Sequence, residues 1–231
     1  MKRKSHLEIW NQVWIQDSYS VPQLREKKAK RKIELLLEFL PQKINSNTTI
    51  LDAGCGGGYV SEFLLKETDA TVVAFDQSDE ALRICERLKV YERFVIKQSD
   101  ACNIPYEDES VDLVLCLGLL EHVRDYEQCI SEIERTLCKE GYVYIVSSNR
   151  CSVMFLQWLW KHFNGSWKYG YQKNWTPMQL KQIMEKHDFE TLHMEVIEGW
   201  GDHDRLSKVD VFLRKKLKFV GRYIVYLGKK K

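Results

Sequence analysis

The sequence predicts an α/β fold, a mostly parallel sheet with helices on both faces. Three observations carry this. Helix and strand signals alternate from residue 45 onward, as parallel crossover units require. The short run Thr49-Ile50-Leu51 ends in Asp52 and then in glycines at Gly54, Gly56 and Gly58, which reads as a buried strand, a tight turn and a helix start. Val111 to Leu117 is apolar except at Asp112, the near-continuous pattern of a strand buried on both faces.

Taken in order, Trp10, Trp14 and Tyr19 fall in an amphipathic N-terminal helix, and a basic amphipathic helix runs from Leu24 to Leu40, closed by Pro41. Ile50 to Ala53 is the first strand, and Tyr59 to Glu67 the helix leaving the glycine turn. Thr71 to Asp76 is the second strand. Ser78 caps a helix through Leu88, with Asp79 and Glu80 in its first turn, where carboxylates favour the helix dipole. Phe94 to Gln98 is the third strand, ending at Ser99-Asp100, and Val111 to Leu117 the fourth. Tyr126 to Leu137 is helical, with Ile130, Ile133 and Leu137 on one face, and Gly141 stops it before a fifth strand from Tyr142 to Val146. Val153 to Leu156 with Trp158-Leu159-Trp160 forms an apolar helix. Thr176 is an N-cap followed by Pro177 at the first helical position. Leu192 to Ile197 and Tyr223 to Leu227 read as the final strands.

Composition bounds the class. With 231 residues, 44% of them hydrophobic and 29% charged, one soluble domain with a sizeable core is expected. No apolar run approaches the ~20 residues that span a bilayer, and the basic start Met1-Lys2-Arg3-Lys4 leads into no apolar signal segment. Seven cysteines without a C-x-x-C pair suit a reducing, cytoplasmic compartment, and no metal site is expected. Charge is uneven: between Arg205 and Lys231 there are ten Lys or Arg and a single acid, Asp210. Such a stretch is either a solvated face or a contact for something anionic.

The glycine turn separates two ligand classes. A dinucleotide pyrophosphate calls for G-x-G-x-x-G, but counting from Gly56 the third glycine position is Tyr59. D-x-G-x-G-x-G, from Asp52 to Gly58, instead accommodates a zwitterionic amino-acid tail. Asp52, Asp76 and Asp100 stand at the carboxyl ends of successive strands, where ligands bind in open α/β sheets. Asp76 follows Gly54 at close to the interval of about 20 residues expected for an acid that accepts ribose hydroxyls.

On these residues the chain resembles the class I S-adenosylmethionine (SAM) methyltransferases. Asn103-Ile104-Pro105 through Val114, then Leu119-Leu120-Glu121-His122-Val123-Arg124-Asp125, with Thr176-Pro177-Met178-Gln179-Leu180 and His187-Asp188-Phe189, resembles the small-molecule methyltransferases of quinone biosynthesis. Asp188 replaces the commoner glycine before that phenylalanine. The resemblance implies a Rossmann-like seven-stranded sheet, mostly parallel, closed by an antiparallel last pair. It implies one domain over 1–231: N-terminal helices closing the site (1–44), a SAM-binding core (45–150), an aromatic lid insertion (151–175), and a C-terminal helix with the last strands (176–231). It also implies SAM as cofactor and S-adenosylhomocysteine as product. In that reading Asp52 orients the methionine amine, Asp76 holds the ribose, and Asp100 with Ala101 meets adenine. Gly54, Cys55, Gly56, Gly58, Gln77 and Leu117 complete the cofactor contacts.

His122 is the candidate general acid or base, since imidazole titrates near neutrality; a histidine that hydrogen-bonds the loop is the alternative. Glu121 beside it is a second candidate for deprotonating or positioning an acceptor. Trp158, Trp167, Tyr169, Tyr171 and Trp175 are candidate substrate contacts, because rigid aromatics shape a dry pocket at low entropic cost. The same segment reads equally as ordinary packing over the sheet, or as an interfacial helix.

The expected activity is methyl transfer to oxygen or nitrogen of a small molecule, a biosynthetic intermediate or lipid-linked compound. The alternative is a non-catalytic SAM-binding partner subunit. RNA methylation is disfavoured, because Leu117-Gly118-Leu119-Leu120 stands where an Asn/Asp-Pro-Pro-aromatic motif is needed and no RNA-binding module is present. Nucleic acid is therefore not an expected partner; peripheral membrane contact through the basic C-terminal stretch is one reading of that stretch, and a solvated helix face is the other.

Overall fold

In the computed structural model, which describes residues 5–17, 22–200 and 205–231, seven strands form one sheet in the order β3-β2-β1-β4-β5-β7-β6. β1 (Thr49–Ala53) pairs in parallel with β2 (Thr71–Asp76) and β4 (Val111–Leu117), β2 with β3 (Phe94–Gln98), and β4 with β5 (Leu137–Ser148). β7 (Tyr223–Lys230) inserts antiparallel between β5 and β6 (Phe189–Ile197). The strand order reverses between β1 and β4, the place where open α/β sheets bind ligands.

Side chains alternate across the sheet, so the core has two halves. Ile50, Val72 and Leu113 pack against Ile33 and Leu36 of α2 (Pro22–Phe39) and Leu64 and Leu65 of α3 (Tyr59–Glu67). Leu51, Val73 and Val114 face Ile130 and Ile133 of α5 (Tyr126–Thr136) and Leu180 and Met184 of α7 (Pro177–Lys186). Each such side chain removed from water contributes about 1.5–3 kcal/mol, which holds the strand ends in register beneath the site.

Local signals set the helix starts. Ser78 Oγ accepts from Ala81 N at 3.3 Å to begin α4 (Asp79–Glu86). Thr176 and Gln179 exchange side-chain and backbone bonds as a capping box for α7, satisfying two otherwise orphaned N–H groups.

Several boundaries differ from expectation. The helix expected through Leu137 ends at Thr136, and β5 begins at once rather than at Tyr142. Gly141 therefore lies inside a strand: the register shifts between Val111 and Leu113, and a Cβ on Gly141 would meet the Cys138 carbonyl oxygen at 2.8 Å. A bulge uses the glycine, not a helix stop. β6 starts at Phe189 rather than Leu192 and β7 runs on to Lys230, because pairing with a neighbour extends a strand past its apolar run. α2 is offset by one to two residues. α8 (Arg205–Arg214) gives bounds to the helix face that the basic C-terminal stretch offered as one reading. Of the aromatics placed in the N-terminal helix, Trp10 and Trp14 lie in α1 (His6–Asp17), whereas Tyr19 falls outside the described residues.

Candidate active site

At the carboxyl ends of β1, β2 and β4 a cavity of about 720 Å³ opens between the sheet, α1 and α2. Its floor is the glycine turn. Gly54, Gly56 and Gly58 all hold positive φ, at 67°, 54° and 76°, which side-chain-bearing residues adopt only under strain. A Cβ on Gly58 would stand 2.4 Å from Cys85 Sγ, so α3 starts closely packed on α4 only with glycine there.

Asp52, Asp76 and Asp100 all line the cavity, Asp100 from two residues beyond the end of β3. Asp76 accepts backbone N–H from Gly56 at 3.0 Å and from Ser78 at 2.9 Å, one bond to each carboxylate oxygen. Each oxygen keeps a further lone pair for a vicinal diol. Burial raises the Asp76 carboxyl, and the N–H groups of Ser78 and Gly56 counter that rise. Asp52 is buried and accepts from Ser61 Oγ at 2.6 Å. Burial lifts its pKa to about 6, against the opposing effects of Ser61 and the Lys32 ammonium. Asp100 Oδ1 accepts from Cys102 N at 2.8 Å at the cavity rim. Burial pushes the Cys102 thiol up to about 12, so this cavity thiol is not a nucleophile at neutral pH.

Gly54, Cys55, Gly56, Gln77, Ala101 and Leu117 also line the cavity; Gly58 does not, serving beneath it as the first residue of the α3 cap. The donor set suits SAM. It offers carboxylates for a diol and for an ammonium, backbone along a glycine turn, and open space beside Gly118, where no atom lies within 4 Å of a built Cβ.

His122 lines the cavity from a single 3-10 turn, Leu120–His122, after β4. Its Nδ1 lies 3.0 Å from the Tyr171 carbonyl oxygen, and the Trp10 ring meets it edge-on at 4.8 Å between centroids. The histidine thus ties a loop and also faces the cavity.

Glu121 points elsewhere. It is buried, accepting from Ser147 Oγ at 2.8 Å, Ser148 N at 3.2 Å and Ser148 Oγ at 3.0 Å. Its carboxylate anchors the end of β5 and is absent from the cavity wall.

None of the five aromatic candidates lines the cavity. Trp175 is a core residue, 2% exposed, edge-on to Tyr126. Trp158, Trp167 and Tyr169 form a chain of ring contacts at 6.5 and 5.0 Å that ends beside His122, whose ring is 6.3 Å from Tyr169. Tyr171 contributes its carbonyl, and its ring carries the Arg124 guanidinium at 4.8 Å.

Sequence reasoning missed His6, Leu7, Arg25, Lys28, Lys32 and Arg124 as cavity residues. No local motif marks them, because α1 and α2 reach the site only through the fold. Asn11 of α1 accepts from Ser78 Oγ at 2.6 Å, and the Trp14 ring sits where a Gly56 Cβ would be, 2.3 Å away.

A switch-point cavity with this glycine turn and these strand-end acids lies at the carboxyl edge of a Rossmann-like sheet. Residues 51–145 match the family model described as a methyltransferase domain. Over 130 residues the chain is 29% identical to the ubiquinone biosynthesis O-methyltransferase of Pasteurella multocida, covering 50% of this chain and 53% of that protein. The chain spans about half the length of the curated relatives it matches.

Among solved structures, a chain of the complex between the Haloferax volcanii Trm112 methyltransferase activator and the putative methyltransferase superposes with TM-score 0.77 at 17% identity, covering 97% of each chain. The possible histamine N-methyltransferase of Thermotoga maritima gives TM-score 0.71 at 16% identity, covering 98% of this chain and 100% of that one. At these identities the likeness establishes the fold.

Proposed function

We propose that this protein is a SAM-dependent methyltransferase acting on an oxygen or nitrogen of a small-molecule acceptor. The observation that carries the reading is the convergence of Asp76, Asp52, the glycine turn and His122 on one cavity. Bound SAM supplies a methyl group already activated as a sulfonium. The protein's share is then placement, and holding an acceptor in line accounts for much of the acceleration.

Asp76 orients the ribose end and Asp52 the amine end of the cofactor. A carbonyl oxygen only accepts, so the Tyr171 contact fixes the His122 proton on Nδ1. Nε2 is then the unprotonated nitrogen, and no described residue hydrogen-bonds it. As the new bond to carbon forms and the methyl leaves sulfur, it takes the proton from the acceptor hydroxyl, or from the amine nitrogen that has given its lone pair to the methyl. Trp10, Tyr169 and α1 exclude water from that step.

The O-methyltransferase relatives favour an oxygen acceptor, and Glu121 acts as the anchor of the β5 end beneath it. The non-catalytic alternative is less well supported, because the residues of the cofactor site are all present. Titration calorimetry of dialysed protein with SAM and S-adenosylhomocysteine tests the reading. Micromolar binding supports it, and absence of binding removes it. Product analysis across phenolic and amine acceptors then separates enzyme from subunit.

A further inference from the structure

Two connections that the cofactor core does not use meet at the cavity end of the sheet. β5 and β6 both run antiparallel to β7, so they share a direction and end at the same edge, where the cavity opens. After β5 comes α6 (Val153–Phe163), and after β6 comes α8. Asp210 of α8, fully buried, accepts from Ser152 Oγ at 2.6 Å and from Val153 N at 2.8 Å. It caps the N-terminus of α6 and locks the two helices together. Asn149 Nδ2 donates to the Phe219 carbonyl at 3.0 Å and Gly221 N to the Cys151 carbonyl at 3.1 Å, fastening the connector into β7 to the same place.

The outward faces of this unit are apolar. Leu156, Trp160 and Phe163, at helical spacing, are 62%, 66% and 84% exposed; Phe212 is 69% and Phe219 53% exposed. Isolated exposed apolar residues are ordinary, but a stripe of large ones with neighbours of the same kind marks an interaction surface. The outward charge of its own two segments has one sign. Residues 150–176 contain no Asp or Glu, and residues 205–222 contain only Asp210, which is turned inward as the cap. Lys208, Lys215, Lys216 and Lys218 are exposed, while Arg214 is engaged by Glu198 at 3.2 Å.

We propose that the α6–α8 surface docks on an anionic lipid bilayer. The aromatic stripe enters the headgroup–acyl boundary, where tryptophan is favoured, and the lysines meet anionic headgroups. Among the described residues no helix is long and apolar enough to cross a membrane, so the unit lies on the surface. Docking turns the cavity end of the sheet toward the bilayer and gives a membrane-partitioned acceptor a short path to His122. That last consequence rests on the methyl-transfer reading; the docking does not.

The test is flotation with phosphatidylglycerol-containing vesicles against phosphatidylcholine alone, at about 0.1 M and about 1 M salt. Wild type is expected to float with the anionic vesicles and to lose most of that binding at high salt. Each basic residue near such a surface contributes roughly fivefold, so Lys215→Gln with Lys216→Gln should lower partitioning about 25-fold. Trp160→Ser with Phe163→Ser should abolish it. These positions are exposed, so S-adenosylhomocysteine binding and the thermal midpoint should match wild type, which separates failed docking from failed folding and from failure of the methyltransferase reading. The proposal is overturned if wild type stays with the soluble fraction, or if either double variant floats as well as wild type. It is also overturned if sedimentation shows self-association that Trp160→Ser with Phe163→Ser removes, since a second copy then covers the face.

Discussion

His122 Nδ1 lies 3.0 Å from the carbonyl oxygen of Tyr171, and because a carbonyl only accepts, this contact places the ring proton on Nδ1. The partner is a main-chain atom 49 residues further along the chain, so the tautomer is set by the fold and survives any change of side chain at 171.

His122→Gln should lower turnover about 10²–10⁴-fold, the usual contribution of a positioned base, with S-adenosylhomocysteine affinity within a factor of a few. Tyr171→Phe should leave both unchanged. Single-turnover rates with calorimetry on the same preparations check this, and an unaltered rate for the His122 variant removes the proton-acceptor role.

Asp76→Ala should weaken S-adenosylhomocysteine binding by at least about tenfold, because bonds to a charged acceptor carry about 1.5–3 kcal/mol. The Gly56 and Ser78 N–H groups also lose their acceptor, so the glycine turn loosens. Calorimetry gives the affinity, and amide exchange at Gly56 reports the turn.

Asp52 makes the free protein pH-sensitive in a defined sense. Its folded pKa of about 6 exceeds the ordinary value of 3.8, so the folded state binds the proton more tightly than the unfolded one. That stabilisation is fully present below about pH 4 and is lost as pH rises through 6. At one unit per ~1.4 kcal/mol, the difference is about 3 kcal/mol. Asp52→Asn should therefore stabilise the free protein above pH 6 relative to wild type and gain nothing near pH 4. Denaturant titrations at the two pH values measure it. SAM affinity of wild type should fall as pH drops through about 6, since the cofactor ammonium needs the carboxylate.

Gly58→Ala should destabilise the fold by about 1–3 kcal/mol. It combines a φ of 76° with a Cβ 2.4 Å from Cys85 Sγ. A fall in thermal midpoint with little change in the affinity of the remaining folded protein is the expected pattern, since Gly58 lies under the cavity rather than in its wall.

Glu121→Gln should cost stability without changing cofactor affinity. The variant keeps the shape but weakens three bonds to Ser147 and Ser148 that end β5. Thermal melts set beside calorimetry distinguish this anchoring role from a catalytic one, which would lower the rate of fully folded protein at saturating cofactor.

Much of this was legible in the chain because local physics wrote it there. Glycines at 54, 56 and 58 report a turn that only they can make, and apolar runs ending in Asp52 and Asp76 report strands whose carboxyl ends open on the cavity. Ser78 and Thr176 announce their helices by side-chain bonds within three residues.

Tertiary structure decided the rest, where position depends on contacts distant in sequence. Trp175 and Tyr169 are similar aromatics six residues apart, yet one is sealed against Tyr126 in the core and the other lies beside Trp10 and His122. Glu121 and His122 are adjacent, yet a strand end takes the carboxylate and leaves the imidazole facing the cavity. Composition makes each of these residues eligible for a site. Which of them reaches it is set by packing, because a side chain goes where neighbours from other segments satisfy its polar atoms and cover its apolar surface.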